Sequence, residues 1–368
     1  VPWDLAPEGA ESHIVSENRL MHTVMIGCIP KRRLWSRRCT RFLAVVVLLL
    51  AVIAPVPLHA DELPSRQSPS AFSFRWENDT FGNTDENYTN GIQLAVTYPG
   101  RGIIGGVWDV AGDAEGERFT SFDLGQLLFT PSDTSSPMPD PADRPYAGFL
   151  YLGTTTFLQR DESLHGFKLT IGVVGQASMG EALQKTTHRT LLYRMPQGWD
   201  AQIKNEPILN LHYEYRRRLS ITPREAAVGV ELIPVAGVAL GNFLTEAQAK
   251  LQLRVGYHMP DDFGTTLLRG IGTLPLAPGS NPDHGWGVCA FAGAGASLVA
   301  WNITLDGNTF ARSPSVDKRI FLPATEFGAT FWTRQFQASF TYVMLGDEYY
   351  GQQRREDYGS ILLSYLFP

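Results

Sequence analysis

Cysteine is scarce in this chain, with three residues in 368: Cys28, Cys39 and Cys289. Only Cys289 lies beyond residue 60, so no internal disulfide can form there and the fold must rest on hydrogen bonding and packing. Long apolar runs are also missing. After Ala60 no stretch reaches the ~20 apolar residues that a helix needs to cross a ~30 Å hydrocarbon core. Positive charge is the third shortage. Seven Lys/Arg and four Asp/Glu fall within residues 1–60, leaving 24 basic and 33 acidic residues and a net charge of −9. With no basic stripe left to neutralise phosphates, nucleic acid is excluded as an expected partner.

The first sixty residues read differently from the rest. Lys31, Arg32, Arg33, Arg37, Arg38 and Arg41 form a basic run, and 42–54 is almost unbroken apolar sequence. A basic segment, a short apolar segment and then small residues is the layout of a secretory signal, with cleavage expected after Ala60. The stretch before Met25 matches neither part and reads as an upstream extension. A membrane anchor is the competing reading of the same run. The expected division is therefore an extension plus cleavable signal over 1–60 and a single barrel over 61–368.

Beyond Ala60 what recurs is alternation. Segments rich in aromatics with a two-residue apolar period cover 71–76, 92–98, 119–129, 149–157, 167–173 and 208–215. Others follow at 227–232, 249–257, 285–292, 319–325, 335–344 and 358–367. Their lengths approach the roughly 9–11 residues of a tilted transmembrane strand, and twelve is an even number, as bacterial single-chain barrels have. Counting back from Phe367 in twos gives Tyr365, Leu363 and Ile361, with Ser364 and Ser360 on the other face. The expectation is an all-β, transmembrane antiparallel barrel of twelve strands in the outer membrane of a Gram-negative cell, with a short α-helix in one external loop. A soluble β-sandwich or periplasmic barrel shares the alternation; the signal and the aromatic-ended last strand together favour the membrane barrel. With both termini periplasmic, the external connections are 79–89, 130–146, 177–205, 241–245, 301–317 and 346–356. The internal connections 99–118 and 258–284 are longer than the turns expected there.

Three polar groupings fall on external connections. The first is Glu77-Asn78-Asp79-Thr80-Phe81, then Thr84-Asp85 and Tyr88-Thr89-Asn90-Gly91. Its carboxylate, amide and carbonyl oxygens suit a hard cation such as Ca²⁺; the same residues also make an ordinary solvated hairpin. The second is Asp143-Arg144-Pro145-Tyr146-Ala147-Gly148. Arg144 could hold a substrate phosphate or could snorkel beside Tyr146 in the aromatic girdle. The third is the long connection 176–207. Ser178-x-x-Glu181 has the form of a capping box opening a helix that Pro196 would end. Gln184 and His188 lie one turn apart on one face of that helix, positioned for catalysis or simply packed.

At these residues the chain resembles the outer-membrane lipid A 3′-O-deacylases. The matching pieces are Glu77-Asn78-Asp79 with Tyr88-Thr89-Asn90-Gly91, Arg144-Pro145-Tyr146-Ala147-Gly148, and Gly172-Val173-Val174-Gly175. Gln184 with His188, and Gln197-Gly198-Trp199-Asp200 leading to Asn205-Glu206-Pro207, complete the series in order across 71–219. The resemblance implies a twelve-stranded barrel that removes the 3′-linked acyloxyacyl group from lipid A of lipopolysaccharide by Ca²⁺-dependent ester hydrolysis. It implies His188 as general base, Gln184 as the residue positioning water or substrate, Asn78 and Asp79 as the Ca²⁺ site, and Thr89 lining the pocket. Asp200 and Glu206 are the candidates for holding the second imidazole nitrogen. A monomer is expected. The alternatives are an outer-membrane phospholipase and a non-catalytic barrel or porin.

Overall fold

The computed structural model describes residues 70–82, 86–110, 115–223, 226–265, 267–272, 274 and 285–368. The expected signal over 1–60, and Thr84-Asp85 of the first polar grouping, lie outside the described residues.

Alternating apolar and polar side chains put one face of each strand towards hydrocarbon and the other towards the interior, and the described chain follows that pattern twelve times. The strands are β1 (Ala71–Asn78), β2 (Asn87–Pro99), β3 (Glu117–Thr130), β4 (Ala147–Arg160), β5 (Ser163–Val174) and β6 (Glu206–Arg217). They continue as β7 (Val228–Gly241), β8 (Leu244–Tyr257), β9 (Trp286–Asn302), β10 (Phe321–Thr333), β11 (Phe336–Leu345) and β12 (Asp357–Leu366). A two-residue strand, Leu219–Ser220, adds a stub against Leu232 and Glu231. Neighbours pair antiparallel in sequence order, and β1 closes the ring against β12 from Ala71↔Leu366 to Asn78↔Gly359. Closure removes the free sheet edges and satisfies the strand backbone internally, as a strand-built membrane crossing requires. Each expected segment overlaps one of the twelve strands.

Phe122, Leu124, Leu152, Ile171, Leu251 and Phe327 are among the large apolar side chains exposed on the outer face. On β12, Ser360, Leu362 and Ser364 are buried while Ile361, Leu363 and Tyr365 are partly exposed outside, the alternation expected of a last strand. The start of β1 and the end of β12 share one rim with the turns at 161–162 and 334–335; the expected external connections all fall on the opposite, far rim.

The lumen is not an open tube among the described residues. Lys168 Nζ lies 2.8 Å from Asp123 and Arg254 Nη2 lies 2.8 Å from Glu231. Buried charges that lose hydration are retained in such pairs because an unpartnered one would cost several kcal/mol, roughly 3–5. The connection between β8 and β9 leaves the near rim and folds back inside. Phe263 and Ile271 pack with Phe119, Phe157 and Leu164, and Thr155 Oγ1 donates to the Ile271 carbonyl at 2.8 Å. The described parts of this connection, too long for a turn, thus lie inside the barrel.

Three helices are described: α1 (Gly106–Val110), α2 (Gly180–Leu191) and α3 (Ile303–Asp306). The capping box does not form. Met179, in left-handed backbone at φ 59°, is the residue that caps α2, with no side-chain cap bond, and Ser178 sits in the preceding 3-10 turn. There its hydroxyl donates to the Gly175 carbonyl at 2.6 Å. Glu181 pairs instead with Lys185, one turn on. Leu192, also left-handed, ends the helix before Pro196.

Candidate active site

Strand β1 carries two faces with two tasks. Glu77 points inward and Asn78 outward. Asn78 Nδ2 donates to the Thr89 carbonyl at 2.8 Å and to Asn90 Oδ1 at 3.2 Å, and Trp76 Nε1 donates to that same oxygen at 2.9 Å. The β2–β3 register shifts between Tyr88 and Asn90, and this bulge places Thr89 beside Thr130, with their hydroxyl oxygens 2.6 Å apart. Bulges of this kind re-aim one side chain at the cost of one ladder position. Asp79 follows at the far rim, 1% exposed, and its Oδ2 accepts from the Glu86 backbone N–H at 2.6 Å.

The loop helix lies on the outer wall. Gln126 and Leu128 belong to the outward-facing series of β3, yet Leu128 is buried because Trp199 and Tyr146 cover it. Gly180 permits the approach: a Cβ there would meet Leu128 Cδ2 at 2.8 Å and Gly148 Cα at 3.1 Å. Gln126 Nε2 donates to the Ser178 carbonyl at 2.5 Å and so ties the start of α2 to the wall. The buried face of α2 is Gly180, Gln184, His188 and Leu191.

His188 is 4% exposed, and its Nδ1 lies 2.5 Å from the Arg194 carbonyl oxygen. A carbonyl only accepts, so Nδ1 carries the hydrogen and Nε2 is the basic nitrogen of the neutral ring. A backbone carbonyl thus orients the imidazole through Nδ1. Of the two acidic candidates, Glu206 is engaged with other partners. Asp200 is exposed, and Glu206 accepts from Asn242 Nδ2 at 3.0 Å and Asn308 Nδ2 at 3.1 Å. Gln184 is held as firmly: its Oε1 accepts from Trp199 Nε1 at 2.6 Å. Its Nε2 is buried with no hydrogen-bond partner among the described residues, a donor whose desolvation none of them offsets.

The expected site residues therefore form two groups on one outer wall. Asn78, Asp79 and Thr89 gather at the β1–β2 hairpin, and Gln184 and His188 face the wall from α2. Strand β3 links them, since Leu128 lies under the loop and Thr130, two residues on and on the same face, meets Thr89. Thr130 and Trp199 are the members that sequence reasoning did not single out. Trp199 lay within a recognised motif but without a role, and nothing in the sequence sets Thr130 apart.

Arg144 is placed differently from either expectation. It is 0% exposed, inside the barrel, with Nη1 at 2.7 Å from Glu348, Nη2 donating to Thr304 at 3.1 Å, and its guanidinium over Phe129. It neither snorkels nor faces outward, and its charge is already paired with Glu348. Burial alone would raise the Glu348 carboxyl, yet Arg144 and Arg269 hold it well below the usual carboxylate range.

Among the described residues, no three His, Cys, Asp or Glu side chains cluster as a metal site. Any cation here would need amide and carbonyl oxygens as well as carboxylate. The donor set fits that demand: the Glu86 backbone N–H donates to Asp79 Oδ2, which brings the two residues together, and the neighbouring Asn87 Oδ1 is buried without a partner among the described residues. All are hard oxygen donors of the kind Ca²⁺ takes.

A family model for outer membrane protein LpxR matches residues 43–367. Among solved structures, LpxR from Salmonella typhimurium superposes with a TM-score of 0.67 at 19% identity, over 81% of this chain and 100% of that one. The β-domain of the Bordetella autotransporter BrkA (TM-score 0.40, 9% identity) covers 81% of this chain and 98% of its own. An outer membrane channel from Pseudomonas putida F1 (TM-score 0.38, 11% identity) covers 85% and 100%. No curated protein matches. With the match spanning most of its length, on a closed twelve-stranded barrel, the chain belongs to the outer membrane protein LpxR family.

Proposed function

We propose that the chain hydrolyses the 3′-linked acyloxyacyl ester of lipid A at the outer leaflet of the outer membrane. Family membership supports lipid A modification. The observation that carries the chemistry is the pairing on α2: an imidazole held through Nδ1, and one turn earlier an amide N–H₂ with nothing to donate to. Both face the outer wall rather than the lumen, so the substrate is a membrane lipid and not a solute in transit.

In this reading His188 Nε2 accepts a proton from a water molecule as that water's oxygen bonds to the acyl carbon. Such general-base help is worth about 10²–10⁴-fold. Gln184 Nε2 donates to the oxygen on which negative charge develops, and a preorganised donor of this kind contributes roughly 10²–10³-fold. The bond between the acyl carbon and the sugar oxygen then breaks, and the proton on His188 passes to the departing 3′-oxygen. The products are a free sugar hydroxyl and an acyloxy fatty acid. Asn78 and Asp79 would hold Ca²⁺, with Asn87 alongside; when bound it supplies Lewis-acid polarisation of the ester carbonyl. No serine nucleophile is needed.

Hydrolysis of purified lipid A in ¹⁸O-labelled water with Ca²⁺ tests this. One ¹⁸O is expected in the released acyloxy acid and none in the disaccharide. Intact lipid A beside cleaved phospholipid would move the reading to a phospholipase. Trp199→Phe is a finer check, because it removes the bond that fixes the Gln184 amide. A kcat loss of about tenfold is expected, with a stability cost near 1 kcal/mol, read from kinetics and thermal melting. Unchanged kcat would show that the amide orients itself.

A further inference from the structure

The inner face of the β1–β2 hairpin is propped by a segment that enters the barrel from the opposite rim. Leu268 N–H donates to Glu77 Oε1 at 2.9 Å, and Glu77 Oε2 accepts from Tyr88 Oη at 2.8 Å. Glu77 precedes Asn78, and Tyr88 precedes Thr89, so both inner anchors sit one residue from outward-facing site residues. The Leu268 side chain packs in the cluster that holds Tyr88, Leu127 and Phe129. Gly91, the last residue of the Tyr-Thr-Asn-Gly motif, leaves the room it occupies: a Cβ there would meet Leu268 Cδ1 at 2.5 Å.

Arg269 locks that placement. Its Nη1 lies 3.0 Å from Glu348 and its Nη2 2.8 Å from Glu356, both on the far-rim connection between β11 and β12. Its guanidinium stacks 4.8 Å from the Tyr88 ring centre. Arg144, from the Arg-Pro-Tyr-Ala-Gly motif, supplies the second positive charge to the same two glutamates. Two guanidiniums and two carboxylates, separated by up to 212 residues in sequence, thus meet behind the site. Desolvating such a cluster offsets much of its mutual attraction, so its contribution to stability alone is small.

We propose that the internal segment 267–272 is a plug that sets the position of the outer-wall site, with Arg269 as a positioning residue acting through Tyr88 and Glu77 on Thr89 and Asn78. The consequence is that a near-rim segment governs chemistry at the opposite side of the membrane. Small displacements are enough, since about 1 Å of misplacement can cost on the order of 10² in rate.

The test uses two variants of the full-length barrel in detergent. Arg269→Met combined with Glu356→Gln removes one charge of each sign, and Leu268→Ala removes the packing while keeping the charges. Hydrogen exchange over 76–91 and the kinetics of lipid A hydrolysis are measured for each. Faster exchange confined to 76–91, a kcat loss of about tenfold or more and an unchanged KM are expected, with the heat-modifiable gel shift retained. Unchanged exchange and kcat in both variants would overturn the proposal. So would a general rise in exchange with KM and kcat altered together, which is the mark of a merely structural plug. The kinetic arm rests on the hydrolase reading and the exchange arm does not. An inactive wild type whose variants still exchange faster over 76–91 would defeat the hydrolase reading and leave the positioning claim standing.

Discussion

Replacing His188 with alanine is expected to lower lipid A deacylation by about 10²–10⁴-fold, the usual worth of a positioned general base, while leaving the barrel folded. The two halves of this expectation have separate physical grounds. The imidazole gives up one hydrogen bond to the Arg194 carbonyl and an edge-on contact with Tyr193, worth together a few kcal/mol at most. That loss falls on an external helix, whereas the scaffold is a closed ladder of twelve strands. Heat-modifiable migration of the variant should therefore equal that of the wild type, and lipid binding should persist because the wall and α2 are intact. A variant retaining more than about a tenth of wild-type kcat would remove His188 from the chemistry. His188→Gln sharpens the comparison, since its amide can still donate to Arg194 but has no basic nitrogen to offer.

Chelation is expected to have an effect of similar size. Removing Ca²⁺ should abolish hydrolysis, and adding it back should restore hydrolysis fully, with no change in melting or gel migration. The reasoning is that the oxygen donors around Asp79 lie at the far rim, beyond the last β1 ladder pair, Asn78↔Gly359. Backbone pairing of the wall is thus complete without a cation. Asp79→Ala should reproduce the chelated state and be insensitive to added Ca²⁺. It should also loosen the hairpin locally, because the Glu86 N–H loses its acceptor. Full activity in excess chelator would eliminate the cation from the mechanism and leave Gln184 as the electrostatic partner of the developing oxyanion. An open pore would be the expectation of the porin alternative; Phe263 and Ile271 pack in the lumen instead.

The strands were legible because their information is local. A two-residue period needs only neighbours, and on β3 the alternation of Phe122 and Leu124 outward with Asp123 inward is plain in the sequence. Strand ends were less so. The expected 227–232 runs on to Gly241 through Pro234, which lies one residue beyond the last β6 pair, Arg216↔Val235, in the kind of edge position proline tolerates. The expected 285–292 continues as β9 to Asn302, because the small-residue run from Ala292 to Ala296 shows no apolar alternation to count.

The placement of the candidate residues was legible in part, and that of their supports was not. Spacing put Gln184 and His188 on one helical face, and the structure buries both. What holds them came from outside any local pattern. A backbone carbonyl six residues on orients His188, and carbonyls carry no side-chain signature. Arg144 shows the limit most clearly. Its motif was recognised, but its partners Glu348 and Glu356 lie more than two hundred residues away, and an ion cluster formed by chain closure has no spacing to read. The capping box failed for a related reason: Ser178 met the sequence form, but tertiary packing of Gly180 on Gly148 fixed the start of α2 one turn-residue later.

Mass spectrometry of lipid A from cells making the chain, beside cells making the His188→Ala form at equal outer-membrane abundance, tests the central claim most directly. The account predicts lipid A lighter by the 3′ acyloxyacyl group with the wild type and full-mass lipid A with the variant. Full-mass lipid A in both, with the barrel verified in the membrane, would contradict it.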